Sequence, residues 1–212
     1  MTAVEEDEVP VTTPQAGWTI TVDTAPMLVL ALYIRDAAGL GPCGHPQLSP
    51  LLPGVRHADP HRLTAGTGGV DALRGEWELW WHGLCLGAEH AVDRLTPPSF
   101  AEFAGSPALR RYLQAHFGSA LLWSRERVAE YRQVADTRDA LDQHRILERL
   151  VEERELDVDR SARPFRLQII ELPLAEKRAW FVEPDRLLVA HTLLGDEQAT
   201  REYLEPVLEL LV

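Results

Sequence analysis

The chain is nearly without lysine: of its 21 basic residues only Lys177 is one, and the rest are arginine. A mechanism that needs a side-chain amine therefore has a single candidate, while the arginine bias itself reads as a coding preference. Cysteine is scarce too, with Cys43 and Cys85 alone. That excludes a small scaffold stapled by disulfides and suits a reducing compartment. No apolar run approaches the ~20 residues that span a bilayer; the longest, Met27–Ile34, is far shorter. The opening MTAVEEDEVP lacks the basic and apolar regions of a secretory leader. Together these absences predict a cytoplasmic protein with no membrane association. Positive charge is also in deficit, 21 basic against 33 acidic residues for a net charge of −12. A field of that sign repels phosphate backbones and anionic lipid, so nucleic acid is not expected as a partner. A basic protein surface fits instead.

What is present is ordinary globular composition over 212 residues, 45 % apolar and 25 % charged. Residues 1–16 hold Glu5, Glu6, Asp7 and Glu8, two prolines and no basic residue. Such a segment buries too little apolar surface to offset its ordering entropy and reads as a flexible acidic tail. Residues 17–212 read as one globular unit, with Ser161–Pro164 the only seam that suggests a second.

Trp18-Thr19-Ile20-Thr21-Val22 alternates as a half-buried strand does. Met27–Arg35 then follows Pro26, which suits a first helical turn, although a buried strand is an alternative for so short an apolar run. From Ala37 to Gly69 the chain is rich in Gly and Pro without a sustained period. A loop of that length is often functional.

Asp71 suits an N-cap, and Leu73, Trp77, Trp80, Trp81, Leu84 and Cys85 follow at helical spacing. Ser106-Pro107 starts a short helix through Phe117. A long helical region runs from about Ser119 to Leu156, with a polar stretch near Thr137 where two helices are expected to meet. After Arg163-Pro164 three strands are predicted as an antiparallel meander, with Glu183-Pro184-Asp185-Arg186 as a turn. Asp196 caps a terminal helix in which Pro206 is a kink. The fold class is α+β: a helix-rich middle, a small antiparallel C-terminal β-meander and a terminal helix. The strand at Trp18–Val22 is available to pair with that sheet.

Chemical motifs are sparse. Cys43, His45, His57, Asp59 and His61 bring a thiol, three imidazoles and a carboxylate into one irregular stretch, the ligand types zinc takes; His82 and Cys85 are candidates to complete the set. Their spacing matches no finger or knuckle. Gly66-Thr67-Gly68-Gly69 resembles an anion-binding nest, yet the lysine of a phosphate loop is missing. No nucleophile elbow surrounds Ser119. Glu89, His90 and Asp93 read as a solvated helix end.

Trp77, Trp80 and Trp81 form an aromatic stripe. Tryptophans at helical spacing usually pack a core, but they are also enriched in interface hot spots. The function expected on these grounds is a non-enzymatic protein-binding or assembly protein. It takes a basic partner, needs no cofactor and uses the three tryptophans as anchors. The alternative is a zinc-dependent enzyme or zinc-stabilised factor centred on residues 43–61.

Overall fold

The first strand of the chain and the last third of it meet in one four-stranded sheet. The computed structural model describes residues 17–87, 95–140, 145–183 and 185–212. The acidic tail, the Glu89/His90/Asp93 group and the proline of the predicted turn lie outside these. The strands are β1 (Thr19–Asp23), β2 (Arg166–Leu172), β3 (Ala179–Glu183) and β4 (Arg186–Ala190), in the order β1-β2-β4-β3. β1 runs parallel to β2 with Ile20 opposite Leu167, and β2 runs parallel to β4 with Ile170 opposite Leu188. Only β3 is antiparallel, paired with β4.

The α+β class holds, but the meander does not. β2 pairs with β4 rather than β3, and the pairing is parallel. The reason lies in β2 itself: Leu167, Ile169, Ile170 and Leu172 are all buried, so both faces are covered. Fully buried central strands of this kind carry apolar residues without alternation. The alternation through Ile169 suggested a half-exposed strand, and Ile170 breaks that pattern.

The helices follow from local chemistry more directly. α1 (Pro26–Ala37) starts on Pro26, and Met27 through Leu32 and Ile34 are all buried. That all-round burial makes it the central helix of the fold and settles the strand alternative against the strand. A single turn, α2 (His61–Thr64), lies in the long loop. α3 (Gly69–Cys85) begins two residues before Asp71, behind Gly68, whose φ of +93° only glycine adopts cheaply. The glycine run is thus a turn into a helix.

After a 3-10 turn at Ala101–Phe103, α4 (Pro107–Ala140) runs unbroken for 34 residues. Gly118-Ser119 does not interrupt it, because an interior glycine costs only about 1 kcal/mol and Leu113 and Ala120 are buried on either side. Thr137, where two helices are expected to meet, lies inside α4, and α5 spans Ile146–Asp157. The chain ends in α6 (His191–Leu194) and α7 (Glu197–Leu211), capped by Asp196 through the Ala199 N–H. Pro206 sits inside α7 without ending it. The buried residues form one cluster from Trp18 to Val212, drawn from both sides of the expected seam.

The Gly/Pro-rich loop is held by a buried ion pair. Arg35, at the end of α1, is 2 % exposed. Its guanidinium pairs with Asp36 at 2.6 Å and donates to the carbonyls of Leu48 (2.9 Å) and Ser49 (2.7 Å). Asp36 in turn accepts the Leu51 N–H at 2.7 Å. The same stretch is tied to the chain beyond β2: Leu52 N–H donates to the Pro173 carbonyl and Ala175 N–H to that of Pro50. Removing the guanidinium would leave buried carbonyls and a carboxylate unsatisfied. Arg35→Ala is therefore expected to lower stability by about 3 kcal/mol in urea unfolding. Limited proteolysis of that variant should cut first between residues 40 and 56; an unchanged cleavage map would contradict the clamp.

Candidate functional site

The five expected zinc ligands do not converge. Cys43 is buried, while His45, His57, Asp59 and His61 are exposed. His57 lies over Gly39, so closely that a Cβ there would meet its Nε2 at 2.0 Å. Asp59 spends its carboxylate on the His61 backbone N–H. His82 is exposed and Cys85 buried, so they point to different surroundings. Among the described residues no three His, Cys, Asp or Glu side chains gather as a metal site would require. Burial pushes the Cys43 thiol up to about 11, against the pull of Arg35, and the Cys85 thiol up to about 12, against Arg186. Neither is a ready thiolate ligand or nucleophile.

Two of the three stripe tryptophans are packing residues, which corrects the reading of Trp77 and Trp81 as partner anchors. Trp77 and Trp81 are fully buried and stacked, with ring centroids 5.4 Å apart. Trp77 Nε1 donates to the Ala31 carbonyl at 2.8 Å, locking α3 to α1. Gly44 lies against both indoles, leaving no room for a Cβ. Trp80 is half-buried and meets Phe103 edge-on at 5.3 Å. Two of the three are therefore out of reach of any partner.

A polar cluster that the sequence motifs did not mark lies at the carboxyl ends of the parallel strands. β1 ends at Asp23, β2 at Leu172 and β4 at Ala190, so Asp23, Thr24, Glu171 and His191 come to one edge of the sheet. Glu171 is 2 % exposed. An isolated carboxylate buried so deeply would cost several kcal/mol. Here Glu171 Oε1 accepts from Arg138 of α4 at 2.9 Å and lies 2.8 Å from His191 Nδ1. Tyr131, also on α4, stacks flat on the His191 ring at 4.0 Å between centroids. Burial, with Glu171 nearby, holds the Tyr131 phenol above its usual range, so it stays protonated.

Beside this cluster is a cavity of about 150 Å³. Val22, Ala135, Ile146, Leu147 and Leu194 form its apolar wall, and the charged residues Asp23, Arg132, Arg138 and Glu171 also line it, with Thr24 and Tyr131. Thr24 Oγ1 is buried without a hydrogen-bond partner among the described residues. A more open depression on the far side of Arg138 is lined by Thr137, His191 and Thr192. One signal of this site was present in the sequence: Glu171 interrupts an otherwise apolar strand, Ile169-Ile170-Glu171-Leu172. Its partners gave none, because Arg138 and His191 are distant in sequence.

Comparison with protein-family models, curated proteins and solved structures finds no match to this chain. The functional reading therefore rests on geometry alone. Also, no helix among the described residues is long and apolar enough to cross a membrane.

With both thiols buried and protonated, a disulfide reagent at neutral pH is expected to label neither cysteine of the native protein within minutes. Both should react once guanidinium unfolds the chain. Rapid labelling of Cys43 in the native state would show that the loop opens.

Proposed function

We propose that this protein binds a small organic ligand in the cavity at the carboxyl ends of β1, β2 and β4. The observation that carries the reading is Glu171. It is a buried carboxylate, paired with Arg138, hydrogen-bonded to His191 and set at the rim of a mostly apolar cavity. Ligands of open sheets with parallel strands characteristically sit beyond the strands' carboxyl ends, and pockets combine apolar walls with a few fixed polar groups. The Glu171–His191 pair orients an imidazole, as acid–base sites also require, but among the described residues no serine or cysteine lines the cavity. The arrangement supports recognition ahead of covalent chemistry.

A fragment screen followed by NMR tests this. Shift changes are expected to cluster on Tyr131, Ala135, Leu147 and Leu194. Ala135→Phe, which fills the cavity from α4, should abolish them while the fold persists. Shifts scattered over the surface, or untouched by that substitution, would remove the pocket as the site.

A second reading is favoured by the net charge of −12: a basic protein partner, drawn by long-range attraction and by the acidic segment 1–16. With Trp77 and Trp81 buried, electrostatics would carry that interaction. A basic protein recovered at low ionic strength should then be lost when salt is raised or residues 1–16 are removed. Capture that survives both changes would contradict it.

A further inference from the structure

We infer that His191 is a general base in the open depression on the far side of Arg138, where it activates water to hydrolyse a small carboxylic ester. This goes beyond the ligand reading of the cavity and does not depend on the cavity being filled. It rests on which imidazole nitrogen is left free and on what stands beside it.

A carboxylate only accepts hydrogen bonds. Glu171 Oε1 lies 2.8 Å from His191 Nδ1. A neutral imidazole held this way carries its proton on Nδ1 and its lone pair on Nε2. Nε2 has no hydrogen-bond partner among the described residues and is not buried. The His191 side chain is 25 % exposed and lines the depression. Tyr131 stacks on the same ring with an interplanar angle of 9°. Held at one edge by Glu171 and on one face by Tyr131, the ring has little freedom to turn, as a positioned proton acceptor requires. Glu171 is then a positioning residue that acts through the imidazole.

Arg138 completes the arrangement. Its Nη1 and His191 Nδ1 approach the same oxygen of Glu171, so guanidinium and imidazole are neighbours, and both line the depression. The other N–H groups of Arg138 are neither paired nor buried among the described residues. They are donors for an oxyanion that forms there. Neither threonine of the depression is hydrogen-bonded to Nε2, and Thr137 donates to the Gln133 carbonyl instead. The nucleophile therefore comes from solvent.

In this step the water oxygen attacks the ester carbonyl carbon while Nε2 takes its proton. The oxyanion is held by Arg138. As the bond to the leaving alkoxide breaks, the imidazolium returns the proton to it, giving a carboxylic acid and an alcohol with water as the only co-reactant. A guanidinium that shares its charge with Glu171 suits one developing oxyanion. Phosphate esters are opposed by the net charge of −12.

The full chain is tested with 4-nitrophenyl acetate above neutral pH. His191→Gln, which keeps a donor for Glu171, is expected to lower kcat/KM at least about tenfold. His82→Gln, at an exposed histidine of α3, should leave it unchanged. Nitrogen-15 NMR of the wild-type chain should show His191 protonated at Nδ1. Glu171→Gln should lose that tautomer and lower kcat with little change in KM. Several outcomes overturn the inference: a rate retained in His191→Gln, a wild-type imidazole protonated at Nε2, or a burst of 4-nitrophenolate stoichiometric with protein, which marks acyl transfer to the ring. Faster turnover of 4-nitrophenyl phosphate overturns the substrate class.

Discussion

β2 is covered on both faces, and the organisation of the sheet follows from that burial. A strand so placed needs a neighbour on each edge, and β1 and β4 supply them in parallel. It also carries Glu171 into a region where a lone carboxylate is strongly disfavoured. The chain answers with Arg138 from the far end of α4 and His191 from the first turn after β4. Satisfying one buried carboxylate thus brings three elements to one point. The cavity is what remains between them and α5.

The other side of the molecule uses the same device. Arg35 is buried at the end of α1 and holds a loop that has little regular structure of its own. The loop's carbonyls are satisfied by a side chain in place of a ladder, which is how an irregular segment can lie against a core without orphaned polar groups. Because residues 50–52 also bond to the chain just past β2, the clamp reaches the sheet. The glycines and prolines here shape a docked layer. The histidines are left on its outer surface, where they belong to no common site.

The tryptophans show why residue type alone misleads. Trp77 and Trp81 are as suited to an interface as to a core, and their spacing fits both. What decides is the presence of α1 across from them, offering the Ala31 carbonyl to one indole and an apolar wall to both. Once that contact is made Trp77 and Trp81 have no free surface to present. Polar groups and space coincide instead at the strand ends, which is where the proposed ligand would sit.

The sequence by itself determined the α+β class, the N-terminal strand, the aromatic helix and the capped terminal helix, because each is written in local periodicity and end signals. It also marked Asp196 as a cap. Only the tertiary structure decided that β2 lies between β1 and β4, that Gly118 does not break α4, and that Glu171 meets Arg138 and His191. Periodicity reports which face of an element is covered, but not by what. A charge buried in a strand appears in sequence as one exception in an apolar run; the groups that make it tolerable come from other elements and become neighbours only when the chain has folded.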